Sequence, residues 1–157
     1  MRIRQIEIYK LPVKLKSPFV ISLETLRYAE NIIVVIHTDN GIKGFGECSP
    51  FKTINGESMD TCFIVGQYLA GALVGKDPLQ LEKCIHMMDK VIYANHSIKS
   101  AFDMALHDIV SQHVQLPLYK FLGGTINQTL ETDFTVDRKS TRLNSSHVSE
   151  SRMPSSA

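Results

Sequence analysis

The sequence predicts an α+β domain, a three-stranded antiparallel meander followed by helices. Two observations carry this. Strand-like runs crowd into the first 48 residues around an Asp39-Asn40-Gly41 turn, and helical spacing of apolar residues takes over after Ser58. One further alternating stretch, Thr129 to Val136, follows the helices and has no strand partner in sequence.

Taken in order, Ile3, Ile6 and Ile8 with Leu11 and Val13 suggest an opening strand. Asn31 to Thr38 is β-branched and ends at Asp39-Asn40-Gly41, residues that tolerate positive φ and suit a hairpin. Gly41 to Glu47 returns as the partner strand, and its glycines allow a bulge or a close backbone approach. From Ser58 to Val74, Phe63, Ile64, Tyr68, Leu69 and Leu73 recur at helical spacing, with Gly75 as a stop. Asp77-Pro78 has the order of an N-cap and first-turn proline, and Leu81, Ile85, Met88 and Ile92 line one face of the helix that follows. Ser97 is placed to cap another helix, with Ile98, Ala101, Phe102, Ala105, Ile109 and Val110 facing inward. Leu116 to Gly124 reads as a short helix with a glycine stop.

Composition narrows the function. The chain has 157 residues, 43% hydrophobic and 21% charged, and a net charge of +1. From Asp137 onward the charges sum to +2, so the first 136 residues carry about −1. That balance gives no basic field for nucleic acid or an anionic membrane. No signal peptide or membrane-length apolar run is visible. Cys48, Cys62 and Cys84 form an odd set without paired short spacing, which points to a reducing cytoplasm and away from a zinc site.

Few polar residues suggest chemistry. Asp103 with His107, and Asp108 with His113, read as solvated helix-face residues, and His86 before Met87-Met88 as core edge. Cys48 lacks a basic partner in sequence and reads as structural. Gly44-Phe45-Gly46 lacks the spacing of a phosphate loop. Two segments stand out: Lys16 to Arg27, too long for a tight hairpin and apolar for exposed chain, and the loop Phe51 to Gly56 with Phe51 and Ile54. Covering a ligand and packing on the domain's own helices are equal readings of both.

Several motifs resemble the enolase superfamily, and more narrowly its muconate-lactonizing branch. They are Pro18-Phe19, the strand Ile32 to Ile36, Gly44-Phe45-Gly46-Glu47-Cys48-Ser49-Pro50, Gly56-Glu57-Ser58-Met59-Asp60 and Ile98 to Asp108. Leu116 to Gly124 and Glu131 to Val136 resemble the dipeptide epimerases within that branch. The resemblance implies an enolase-like N-terminal capping domain over residues 1–124, the start of a truncated (β/α) barrel over 125–136, and a tail, 137–157, outside the family pattern. It further implies an isomerase that inverts an amino-acid α-carbon in a dipeptide. Lysines move the α-proton, and carboxylates hold a magnesium ion that shares the enediolate charge. Phe19, Glu24, Ile54 and Thr135 fall at substrate-lining positions of the family. Its epimerases for alanyl-glutamate carry arginine where this chain has Glu24, so a neutral, hydrophobic or cationic second residue is the expected substrate class. Arg27 is close in sequence but in a different register.

The family's catalytic lysines and metal carboxylates lie beyond Val136, so neither catalytic residues nor bound magnesium are expected of this fragment. The intact enzyme is expected to be cytoplasmic and homo-oligomeric, with a small-molecule partner and neither nucleic acid nor membrane. Residues 137–157 have seven serines after Arg138 and no apolar periodicity, the composition of a disordered tail. Asp137 to His147 also resembles a translated sequencing adapter, which suggests a truncated gene read through an artefact. Two other readings stand beside the epimerase: another enzyme of the branch, cycloisomerase or o-succinylbenzoate synthase, and a free-standing small-molecule-binding module.

Overall fold

The computed structural model describes residues 1–21, 23–125 and 129–131, and the chain divides into two units, Met1–Thr125 and Ile126–Ala157. In the first, strands β1 (Ile3–Val20), β2 (Thr25–Thr38) and β3 (Lys43–Cys48) precede helices α1 (Lys52–Asn55), α2 (Met59–Leu73), α3 (Leu81–Val91), α4 (His96–His113) and α5 (Leu118–Phe121). The sheet order is β1-β2-β3, antiparallel throughout, the meander that the sequence predicts. In the second unit, Thr129 to Glu131 carry no strand, and the rest of the expected barrel strand, Thr135 included, lies outside the described residues, as does 137–157.

The alternation of β2 decides which face is buried. Ile32, Val34 and Ile36 are fully buried and meet Ile98, Ala101, Phe102, Ala105 and Ile109 of α4, all equally buried. Gly44 and Gly46 let α4 come this close. A Cβ on Gly44 would collide with the Ala105 carbonyl oxygen, and one on Gly46 with that of Ala101. The close approach expected of these glycines is thus their role. The outer strand β3 is tied to the same helix, since the Phe45 N–H donates to Asp108 Oδ2 at 3.0 Å and Gln112 Nε2 donates to the Lys43 carbonyl at 2.7 Å. Asp108 therefore serves an edge strand and is no solvated bystander.

Several boundaries differ from the sequence reading. Lys16 to Arg27 is no loop but the outer half of a long β1–β2 hairpin. Pairing runs to Lys14↔Tyr28, breaks where Leu15 to Pro18 oppose only Arg27, and resumes at Phe19↔Leu26 and Val20↔Thr25. The irregularity hides the alternation, as an insertion in one strand does. Part of the Phe51 to Gly56 loop is the short helix α1, closed by Gly56 at φ +75°. Ser58 caps α2 through a reciprocal box with Thr61. Asp77 caps a turn: its carboxylate accepts from the Leu79 N–H at 3.1 Å, and α3 starts only at Leu81. Asn95, at φ +57°, holds the N-cap position of α4, and Ser97 lies inside its first turn.

Two charged contacts brace the helices. Lys10 Nζ lies 2.6 Å from Asp60 and 5.0 Å from the Phe63 ring centre, joining β1 to α2. The largely buried Lys99 donates to Asp89 Oδ1 at 2.9 Å and to the Ile92 carbonyl at 2.7 Å, joining α4 to the end of α3. The Lys99 ammonium holds the Asp89 carboxyl below its ordinary value, through its hydrogen bond and then its charge. A folded-state pKa lowered in this way stabilises the fold above the unfolded aspartate pKa of about 3.9 and loses that contribution as pH falls through the folded value. A carboxyl-carbon NMR titration should therefore place the Asp89 midpoint below the ordinary range, and Lys99→Met should raise it. A midpoint unmoved in the variant would exclude Lys99 as the cause.

Candidate functional site

The outer half of the hairpin and the segment after β3 enclose a cavity of about 840 Å³. Leu15 to Ser17, Phe19 and Glu24 to Glu30 form one wall, and Ser49 to Lys52 with Glu57 and Ser58 the other. The bulge in β1 creates this wall, because four residues opposite one must bow outward from the sheet. Glu24 is on the cavity wall, and its Oε1 accepts from the Thr53 hydroxyl at 3.2 Å, which links the hairpin tip to α1. The Ile21 N–H donates to the Glu24 carbonyl at 2.9 Å and closes the tip.

The lining mixes signs and apolar surface. Lys16, Arg27 and Lys52 line it together with Glu24, Glu30 and Glu57, and with Phe19, Leu26 and Phe51. Such a wall suits a small molecule that carries both charges and an apolar side chain.

Of the residues expected to line a substrate, Phe19 and Glu24 are on the cavity wall. Ile54 sits on α1, 70% exposed and outside that wall, and Thr135 lies outside the described residues. Arg27 shares the cavity with Glu24 despite its different register, because the bulge places it opposite four residues of β1. Sequence reasoning missed Glu57, an acid only 8% exposed at the cavity edge. Both of its carboxylate oxygens accept from the Ser97 N–H, at 3.2 and 3.1 Å, so it fixes the start of α4. Its position within Gly56-Glu57-Ser58, just ahead of a helix cap, was the available signal.

The remaining candidates are structural. Cys48 is 6% exposed and belongs to the same buried cluster as Cys62. Hydrogen bonding to Cys48, then burial and Glu57, push the Cys62 thiol far up, and the same contact draws the Cys48 thiol down. Asp103 and His107 are half-buried, not solvated. The His107 ring nitrogen Nδ1 lies 3.2 Å from the Asp103 carboxylate, and the ring leans on Phe121 of α5 at 6.2 Å. His86 is exposed beside the buried Met88. Among the described residues, no group of three or more His, Cys, Asp or Glu is placed to hold a metal, and no helix is long and apolar enough to cross a membrane.

Comparison with known proteins agrees with this geometry. Residues 3–123 match the family described as Mandelate racemase / muconate lactonizing enzyme, N-terminal domain. A D-Ala-D/L-Ala epimerase of Cytophaga hutchinsonii is 57% identical over 136 residues, which are 87% of this chain and 37% of that protein. A hydrophobic dipeptide epimerase of Enterococcus faecalis is 37% identical over 136 residues, 87% of this chain and 38% of that protein. The crystal structure of the Cytophaga hutchinsonii dipeptide epimerase, complexed with Mg and the dipeptide D-Ala-L-Val, superposes with a TM-score of 0.87 at 53% identity. It covers 94% of this chain and 40% of that one. The chain thus spans little more than a third of the length of the curated relatives it matches.

Proposed function

From the premise that the chain belongs to the mandelate racemase / muconate lactonizing enzyme N-terminal domain family, within the enolase superfamily, we propose that it is the capping part of a magnesium-dependent dipeptide epimerase. The observation that carries the proposal is the cavity between the hairpin tip and the α1 segment, with cations, carboxylates and aromatic rings on one wall. A dipeptide presents the complementary set: an ammonium, a carboxylate and two side chains. Phe19 and Glu24 would contact the second residue, Thr135 would meet the substrate from the barrel side, and Ile54 would offer its exposed side chain to the barrel. The described residues do not fit a magnesium site, so the proposal places the metal and the proton-transferring lysines in the remainder of the enzyme. The intact enzyme is proposed to be a cytoplasmic homo-oligomer.

Purified chain incubated with magnesium, a dipeptide and deuterated buffer should exchange no more α-hydrogen than the blank. Joined to the remaining part of the Cytophaga hutchinsonii relative, residues 1–136 should restore exchange on a dipeptide. A chimera that folds and binds no dipeptide would refute the reading.

Glu24 sets the side-chain preference within this proposal. A carboxylate on the wall repels a glutamyl side chain, whereas arginine would pair with it through a forked contact. Glu24→Arg in the chimera should raise kcat/KM for alanyl-glutamate relative to alanyl-leucine by at least about tenfold, the equivalent of about 1.4 kcal/mol. Measuring both substrates on both variants decides this, and an unchanged ratio means that Glu24 does not face the substrate.

A further inference from the structure

A second cavity, of about 320 Å³, lies at the other end of β1 from the first, where the strand starts beside the connection between α2 and α3. Arg2, Lys76 and Lys83 line it, with Asp77 and Gln80. The two cavities differ in charge. Three basic side chains line each, but the first has Glu24, Glu30 and Glu57 to offset them, and the second has Asp77 alone.

The backbone around the second cavity is tied down while its basic groups are not. The Gly75 N–H donates to the Ile3 carbonyl at 2.8 Å, and the Ile3 N–H donates to the Lys76 carbonyl at 2.8 Å. The Arg2 N–H donates to Asp39 Oδ1 at 3.0 Å, and Arg2 Nη1 to the Gly75 carbonyl at 3.0 Å. Lys76 and Lys83 are exposed, and among the described residues neither they nor Arg2 forms a salt bridge. Asp77 is partly engaged, since one of its carboxylate oxygens accepts from the Leu79 N–H at 3.1 Å. Three like charges around one cavity repel one another, and a multivalent anion between them relieves the repulsion.

We propose that this cavity binds a small phosphorylated anion, inorganic phosphate or a phosphate monoester. A doubly charged phosphoryl group matches the excess of basic side chains. Arg2 would offer its remaining N–H groups to the phosphoryl oxygens, and Lys76 and Lys83 would act as point charges. The volume is at the low end of ligand cavities, about 300–1,000 Å³, and suits a small ester better than a nucleotide. The site lies away from the dipeptide cavity and does not require the epimerase reading.

The test titrates inorganic phosphate into the ¹⁵N-labelled chain at a constant ionic strength of about 0.1 M, which screens charges beyond about 10 Å. Saturable amide shifts should centre on Arg2, Lys76 and Lys83, with a Kd on the order of 1 mM or below. Glycerol 3-phosphate separates the two sources. At least tenfold tighter binding of the ester identifies a phosphorylated metabolite as the ligand, and lesser affinity identifies free phosphate. Lys76→Gln/Lys83→Gln should weaken phosphate binding at least about tenfold. The urea midpoint of this variant should match that of the parent in phosphate-free buffer, and only the parent's should rise with phosphate. Shifts that do not saturate, shifts centred on Lys16, Arg27 and Lys52, an equal response to acetate, or undiminished binding by the variant would each overturn the proposal. The shift map of the parent chain decides even if the variant fails to fold.

Discussion

Gly46→Ala should lower the stability of the chain by about 3 kcal/mol, the upper end of overpacking penalties. The added methyl would collide with the Ala101 carbonyl oxygen of α4. That obstacle is backbone, so no rotamer change relieves it. Either α4 retreats from the sheet or β3 bends away, and each course uncovers buried surface of Val34, Ile36 and Ala105. The Phe45–Asp108 and Lys43–Gln112 hydrogen bonds would lengthen with the same movement. Gly71, in the last turn of α2 with nothing within 4 Å of an added Cβ, is the control. There alanine should raise stability by about 0.5–1 kcal/mol through helix propensity alone. Urea unfolding of the three proteins gives the comparison. A Gly46→Ala midpoint equal to that of the parent would mean that the helix does not pack as closely on β3 as the structure shows.

The parts of the fold that were legible in the sequence are those where one local signal decides. Ile32, Val34 and Ile36 alternate cleanly, and the Asp39-Asn40-Gly41 turn marks where the strand ends. The inward face of α4 follows from spacing alone, since a helix with apolar residues at 98, 101, 102, 105 and 109 has one side to bury. The hairpin was less legible because the β1 bulge breaks the period of two at Leu15 to Pro18, where the cavity wall begins. Helix α1 has four residues, too few for any periodicity. Asp77-Pro78 carries the chemistry of a helix start, yet the backbone spends it on a turn, a tertiary choice that residue type does not specify. Glu57 shows the limit for the site. Its partner, the Ser97 N–H, is 40 residues away, and no local pattern announces a buried acid. Phe19 and Glu24 were reached only through a family resemblance, because nothing in their neighbours distinguishes a cavity wall from a covered loop.

Phe102→Ala should be the most damaging single change, with an expected loss of about 3–5 kcal/mol. Phe102 is the largest of the fully buried side chains and belongs to the cluster shared by the sheet, α2, α3 and α4. Truncation removes its transfer energy and leaves a void that rigid neighbours cannot close, since Gly44 and Gly46 already bring α4 against β3. A domain of this size has about 5–15 kcal/mol of stability in total, so the loss is a large share of it. Phe102→Leu keeps most of the volume and should cost about 1–1.5 kcal/mol. Phe45→Ala, at a phenylalanine 57% exposed on the opposite face of the sheet, should cost less again. The ordering separates burial from aromatic content, because each of the three variants loses one phenyl ring. If Phe45→Ala proved as damaging as Phe102→Ala, the outer face of the sheet would have to be covered in solution. The core would then not be the one-sided layer formed by β2 and α4.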